Sequence, residues 1–385
     1  MPKNEITREV EYLPLPSPVP GGRRELTVFS YGAGTARPKA YLQAGLHAGE
    51  HPGMLVMHHL LTRLDDLGRA GRIKGRIVLA PLVNPIGVSQ FINHDLVGRF
   101  DLFGGNNFNR NFPRLAEKAA ARLAGLLDQD SERNQASIRD ALREEAGRLD
   151  EADEADALRV LITRLAVDAD IALDLHADGQ SLLHLYTHPI HRDLAEELAA
   201  QLGAPVTLLG VDRAAHSLDD ALNLIWLDLA GLYPGFPIPH GCFAATVELR
   251  GRSDVSDDLA SRDADNLLRF LMRRGVIDGD PGPLPALIPP GPTPLAGVEH
   301  GRAPAGGVAV FAKKIGDWVK AGEVAAEVVD PTALDPGEAR FPIASRIDGV
   351  LFSINLVRLV RRGQIIFKVA GRESIKKPGD RLLED

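Results

Sequence analysis

Four short stretches of the sequence hold side chains whose types and spacing suit metal and acid–base chemistry. In Gly45-Leu46-His47-Ala48-Gly49-Glu50-His51-Pro52-Gly53 a histidine and a glutamate are separated by two small residues. Imidazole nitrogen with carboxylate oxygen is a normal ligand set for zinc, and the glycines permit the tight turn that would aim both side chains at one point. The plain alternative is a polar loop that caps a helix. Asp174-Leu175-His176-Ala177-Asp178 ends an apolar run. His176 is either a satisfied strand-end residue or a third ligand, leaving a fourth position to water as in catalytic zinc sites. Thr246-Val247-Glu248-Leu249-Arg250 sets one carboxylate within apolar surroundings. Glu248 therefore either faces solvent by strand alternation or is a buried general base. Asn107-Phe108-Asn109-Arg110-Asn111-Phe112-Pro113 offers a guanidinium and amides that suit a carboxylate, or else a solvated turn. Arg99, upstream, is a second cation able to face a developing oxyanion.

These residues can act together only if strands and helices bring them to one edge. Short apolar, β-favouring runs at 26–31, 40–46, 77–83, 171–175 and 242–249 read as buried strands, and stretches near 52–67, 192–203 and 255–274 carry helical spacing. That alternation predicts an α/β fold: a mixed, mainly parallel sheet flanked by helices. In such a sheet ligands bind at the carboxyl ends of strands, which is where the first three motifs fall. Residues 115–166, rich in Ala, Leu, Arg and Glu and free of proline after Pro113, predict two or three inserted helices. The proline density of 279–294, GDPGPLPALIPPGPTP, forbids helix and favours an extended linker. A catalytic unit is thus expected over 1–280, a linker over 281–294 and a small all-β barrel or sandwich over 295–385.

The 385 residues suffice for two or three units at about 150 residues each. With 44% hydrophobic and 25% charged residues the chain is globular in composition. The single cysteine, Cys242, excludes an intrachain disulfide and any site of several thiolates, so a metal would need His, Asp or Glu. Cys242 itself, in an apolar run, is expected to be an inert core residue. The net charge of −8 argues against nucleic acid and anionic membranes as partners. Eleven acids against four bases in 128–156 account for −7 of it, so the overall acidity says little about the substrate. No apolar run reaches roughly 18 residues, and MPKNEITREVEYLPLP lacks a basic stretch followed by an apolar one, which predicts a cytoplasmic protein.

In this order H-x-x-E, N-R-N-F-P, D-L-H and V-E-L-R resemble the zinc carboxypeptidase superfamily, more narrowly its succinylglutamate desuccinylase/aspartoacylase branch, over about residues 40–275. The resemblance implies one zinc ion held by His47, Glu50 and His176, with Glu248 as general base. It also implies Asn109 and Arg110 as the clamp on a free carboxylate, and Arg99 as oxyanion stabiliser. It further implies hydrolytic removal of an acyl group from a small N-acyl amino acid, and a C-terminal β domain. A carboxypeptidase acting on short peptides would use the same residues, and a silent zinc-containing binding module is the non-enzymatic rival. The insert at 115–166 departs from the compact pattern; covering the site, shaping its entrance or mediating assembly into a homo-oligomer are its three candidate roles.

The tail, with Gly316-Asp317-Trp318-Val319-Lys320-Ala321-Gly322, also resembles biotinyl and lipoyl carrier barrels, but DPTALDPGEARFPIASRIDG lacks the lysine such carriers modify. A barrel used for packing or for gating the site is expected instead. His51, His58 and His59 are expected on a helix face, and His184, His188 and His191 have no spacing that assigns one of them to the site.

Overall fold

The computed structural model describes residues 8–17, 19–376 and 382. Its body is a nine-stranded sheet. In chain order the strands are β1 (Glu9–Leu15), β2 (Arg24–Tyr31), β3 (Lys39–Ala44), β4 (Arg76–Ala80) and β5 (Ile171–Asp178), followed by β6 (His184–Thr187), β7 (Val206–Leu209), β8 (Phe243–Gly251) and β9 (Gly291–Pro294). They lie side by side as β1-β2-β4-β3-β5-β8-β6-β7-β9. The central run β4-β3-β5-β8 is parallel, while β1, β2 and β6 introduce antiparallel pairings. The sheet is therefore mixed and mainly parallel, as the alternation predicts.

Burial on both faces explains the near-continuous apolar runs of β3, β5 and β8. One face packs on helices α1 (Pro52–Arg69), α5 (Arg192–Leu202) and α7 (Asp257–Arg273), through Leu42, Leu173, Leu175 and Val247 against Met57, Leu60, Leu198 and Leu267. The other carries α2 (Ala116–Leu123), α3 (Ser131–Gly147), α4 (Glu154–Ala166) and α6 (Leu218–Leu232), which join Tyr41, Ala172 and Ala244 through Ile138, Leu158, Ile162 and Trp226. Three helices thus form in 115–166. Asp130 and Asp153 cap α3 and α4 through their carboxylates, a use of short polar side chains that starts a helix. Arg139 of α3 donates to Asp170 Oδ1 at the amino end of β5, and Lys39 at the amino end of β3 pairs with Asp168. The insert is thereby anchored beneath the sheet, at the strand ends opposite those that carry the motifs.

Residues 281–290 run without helix or strand, and the prolines beyond them have a second use. Gly291–Pro294 is β9, laid parallel to β7 at the edge of the body sheet. An edge is where a sheet accepts proline. The tail folds as two antiparallel sheets around Val328, Leu351, Ile366, Phe367 and Val369. Its longer strands are β10 (Val298–Arg302), β11 (Gly307–Phe311), β12 (Val324–Val329), β13 (Arg340–Ala344), β14 (Gly349–Ile354) and β15 (Ile365–Gly371). Body and tail also share backbone: Gln180–Ser181, just after β5, pairs antiparallel with Ser353–Ile354 of β14. Among the described residues no helix is long and apolar enough to cross a membrane.

Candidate active site

Three adjacent central strands carry the site on their carboxyl ends. The turn after β3 supplies His47 and Glu50; β5 supplies Asp174, His176 and Asp178; β8 supplies Thr246 and Glu248. Register sets Glu248 beside His176 and Thr246 beside Asp174 across the parallel pair. The period of two turns Asp174, His176 and Asp178 to one face while Leu173 and Leu175 fill the core on the other. Two glycines make the His47 turn possible. Gly45 has φ +74°, and a Cβ on Gly53 would stand 2.9 Å from Leu175 Cβ and 3.1 Å from Ala44 Cβ, so α1 can settle directly on β3 and β5. Gly49 has neither constraint.

His47, Glu50 and His176 converge. One ligand atom from each lies within 4.8 Å of the others, and all three side chains are buried. His176 Nδ1 is 2.8 Å from Glu50 Oε2, and His47 Nδ1 is 3.1 Å from Glu50 Oε1. The opposite ring nitrogens are held from behind: His47 Nε2–H donates to Asn107 Oδ1 at 2.8 Å, and His176 Nε2 lies 2.8 Å from Asp174 Oδ2. Asn107 thereby turns His47 Nδ1 to the common point, as supporting partners orient histidine ligands, and the Asp174 carboxylate stands behind His176 as an ion-pair partner. Burial, reinforced by the nearby Arg99 cation, lowers the His47 pKa to about 4, so its imidazole is neutral and able to ligate. Burial opposes charge on His176 as well, but Asp174 and Glu50 outweigh it and raise that pKa well above the usual value. Glu50, despite burial, is held well below the usual carboxylate range by His47 and His176. The cluster thus demands positive charge, and Arg99 Nη1, 3.1 Å from both His47 Nδ1 and Glu50 Oε1, meets part of that demand. A divalent cation in place of the His176 proton satisfies the same electrostatics, so the donor set fits a metal.

Around the cluster is a pocket of about 110 Å³ lined by His47, Glu50, Arg99, Asn109, Arg110 and Glu248, among others. His47, Glu50, Arg99, Asn109, Arg110, His176 and Glu248 thus all line one cavity. Burial raises the Glu248 pKa to about 8, with the Glu50 carboxylate adding to it, and Glu248 Oε2 is buried without a hydrogen-bond partner. Asn109 Oδ1 accepts the Leu218 N–H at 3.0 Å, and Arg110 Nη1 donates to the Asn109 carbonyl at 2.7 Å. Arg99 is placed against Glu50 at the mouth, with its side chain 43% exposed.

The sequence motifs missed several lining residues. Lys368 comes from β15 of the tail; its Nζ is 2.7 Å from Asp178 Oδ2, which also accepts Ser353 Oγ–H at 2.8 Å. Tyr186, Asp212, Ser217, Asp219, Asp220 and Leu295 complete the wall. A wider depression of about 750 Å³ between body and tail shares Glu50, Arg99, Asp178 and Lys368 with the inner pocket. No residue of 115–166 lines either cavity, so of the insert's three expected roles covering the site and shaping its entrance are not seen. His184 packs on Tyr186 and Phe352 with its pKa lowered to about 4 by burial, and His188 and His191 lie outside the pocket. His59 pairs with Asp257 at 2.9 Å on the surface. Cys242 is buried in the core, and burial pushes its thiol up to about 12.

Residues 36–272 match the model of the succinylglutamate desuccinylase/aspartoacylase catalytic domain. The chain belongs to this family. Solved structures agree with the assignment of the desuccinylase/aspartoacylase fold across the tail as well. A Shewanella frigidimarina NCIMB 400 protein described as a succinylglutamate desuccinylase/aspartoacylase superposes with a TM-score of 0.84 at 25% identity, covering 95% of this chain and 98% of that one. A Shewanella amazonensis SB2B protein described as one of the succinylglutamate desuccinylase/aspartoacylase family gives 0.82 at 27% identity, covering 94% and 98%. The ectoine utilization protein EutE (DoeB) of Ruegeria pomeroyi, at 16% identity and a TM-score of 0.66 over 94% and 95%, shares the fold. No curated protein matches the chain in sequence.

Proposed function

We propose that this desuccinylase/aspartoacylase-family chain is a zinc-dependent amidohydrolase that removes the acyl group from an N-acyl amino acid. The observation that supports the proposal is the alignment of Glu248 with His176 across β5 and β8: its Oε2 is buried and unpartnered, and it lines the same pocket as the three candidate ligands. Zinc held by His47, Glu50 and His176 would supply Lewis acidity toward the acyl carbonyl and would lower the pKa of water. Glu248, held neutral by burial and by the Glu50 carboxylate, would ionise once a cation balances that carboxylate; its Oε2 then accepts the proton of the attacking water and returns it to the departing amine nitrogen. Asn109 and Arg110 take the free carboxylate of the amino acid and fix the amide against the ligand cluster. Arg99, released from Glu50 once a metal ion balances that carboxylate, is free to donate to the oxyanion.

The inner pocket is small and walled by α6 and by Leu295 and Lys368 of the tail region. That enclosure favours a single amino-acid derivative over a peptide, whose chain would have to leave through the same mouth. The deciding experiment is to load the purified protein with zinc and assay a panel of N-acyl amino acids beside short peptides. Chelator-sensitive release of free amino acid from the former is expected. Faster hydrolysis of peptides would replace this reading with a carboxypeptidase, and no hydrolysis with zinc bound stoichiometrically would favour a binding module.

A further inference from the structure

The inner pocket is the smaller of two connected spaces. It holds about 110 Å³, whereas the depression between body and tail holds about 750 Å³, within the range of sites that bury a small ligand. The two share Glu50, Arg99, Ala177, Asp178 and Lys368, while Asn109 and Arg110 line the inner one alone. A scissile amide at the ligand cluster, with its amino-acid carboxylate on Asn109 and Arg110, therefore turns its acyl group toward the larger space. The tail wall of that space is aliphatic. Leu356 and Val357, in the loop after β14, line it and are exposed, and Ile365 of β15 and Phe100 of the body lie on the same wall. The apolar surface continues beyond the mouth. Val308 and Val310 of β11 alternate with the buried Ala309, and Val308 pairs with Leu359, which is 72% exposed. The Ala309 N–H on the Arg358 carbonyl extends that register and brings Val310 beside Val357. Single exposed aliphatic residues are ordinary, but these five adjoin one another and run into the mouth of the site, a contiguous stripe of the kind that receives an apolar ligand. The cations of the same space are placed on other groups: Arg99 on Glu50, Lys368 on Asp178, and Arg302 Nη1 on the Gly363 carbonyl at 2.8 Å. Arg252 stands against the ligand turn, with Nη1 3.7 Å from the point a Cβ on Gly49 would occupy. A carboxylate on the acyl group would seek Arg252, and it is the rival to an aliphatic chain.

We infer that the space between body and tail takes an unbranched aliphatic acyl chain of medium length, hexanoyl to octanoyl, so that amino acids carrying such chains on nitrogen are the preferred substrates. Water gives its hydroxyl to the acyl carbon and a hydrogen to the amine, and a medium-chain fatty acid and a free amino acid leave. An alkyl chain gains by leaving water for this wall, whereas a peptide laid along it would set its N–H and C=O groups against aliphatic side chains. The wall belongs to the tail, so the unit that supplies no metal ligand sets the length of the acyl group.

The inference rests on the deacylase reading, and the test separates the two. Acetyl, butanoyl, hexanoyl, octanoyl and succinyl derivatives on the α-nitrogen of aspartate, alanine and lysine are assayed with zinc-loaded protein and compared only within one amino acid. A methylene moved fully from water into apolar surroundings supports up to about fourfold in kcat/KM. Along a wall open on one side, the octanoyl member is expected to exceed the acetyl and succinyl members by about tenfold or more. Leu356→Gln and Val357→Gln are expected to bring the octanoyl-to-acetyl ratio back toward one. Calorimetry of octanoate against acetate reads the same preference without turnover, and the wild-type measurements decide if the variants fail to fold. If nothing is hydrolysed yet octanoate outbinds acetate, the deacylase reading falls and the subsite stands. If hydrolysis occurs but kcat/KM is flat or falls with chain length, or the succinyl member exceeds the octanoyl, or the preference survives both substitutions, the subsite is overturned and the deacylase reading stands. Absence of both hydrolysis and a preference for octanoate overturns the two together. A flat series with a dimer that Leu359→Gln dissociates would give the stripe to a second copy of the chain, which also overturns the subsite.

Discussion

The α/β body and the β tail meet at the same pocket but contribute to it in opposite ways. The body delivers its groups from the carboxyl ends of parallel strands, where side chains from β3, β5 and β8 are forced together by register. The tail delivers Lys368 from the middle of an antiparallel strand, held to the body by the pairing of β14 with Gln180–Ser181, by Ser353 on Asp178 and by an apolar cluster that joins Val206 and Leu208 to Val350 and Phe352. Chemistry built on strand ends is fixed by the fold of one unit, whereas a wall contributed by a second unit depends on docking. Substitutions in the body should therefore remove a chemical step or a ligand, and those in the tail should alter what the pocket accepts and how firmly it is closed.

The largest effect is expected from Glu248→Gln, which keeps the shape but removes the proton acceptor. The kcat should fall by roughly 10³-fold or more with zinc stoichiometry unchanged; retained activity would move the base elsewhere. Asp174→Asn weakens the support of His176 without removing a ligand, and zinc affinity measured by competition with a chelator should drop by about 10–100-fold. On the tail side, Lys368→Met should lower kcat/KM by about tenfold and increase hydrogen exchange in β14 and β15, because Asp178 loses its cation. A Lys368 variant with unchanged kinetics would reduce the tail to packing.

The smallest expected effect is a pH response that stays flat. The carboxyl of Asp178 is depressed, despite burial, by Lys368 and His184, so its contribution is complete above about pH 4 and is lost only as pH falls through the lower folded value. The ammonium of Lys368 is raised, chiefly by Asp178, so its contribution is complete below about pH 10.4 and is lost only as pH rises through the higher folded value. Exchange protection of β15 should thus be constant between about pH 5 and 9 after correction for intrinsic rates. A step in that window would mean that another titrating group holds the tail.

Much of this was legible in the sequence because strand-end chemistry is local. His47 and Glu50 share one turn, Glu248 interrupts an apolar run, and the alternation of elements already implied a parallel sheet with those residues on its functional edge. The Asp174 partner of His176 was equally readable, since residues two apart on a strand face the same way. Lys368 and the Asp219–Asp220 pair were not. Lys368 is 190 residues from Asp178 and sits in a strand that reads as ordinary tail packing. Asp219 and Asp220 occupy the first turn of α6, where acidic residues are commonplace for reasons of helix polarity alone. Only packing shows that this turn opens onto the cavity.

The composition of β9 bears on solubility. A row of unpaired amides along the last strand of a large sheet is a template on which another chain can add. Here Pro292 and Pro294 alternate with Gly291 and Thr293 along that strand, while the Gly291 N–H turns inward to the Pro205 carbonyl. The outward-facing side therefore presents prolines, which have no hydrogen to donate. Replacing them with valine would lengthen the adhesive edge of the molecule, and the connector between body and tail is thus also what keeps one copy of the sheet from growing onto the next.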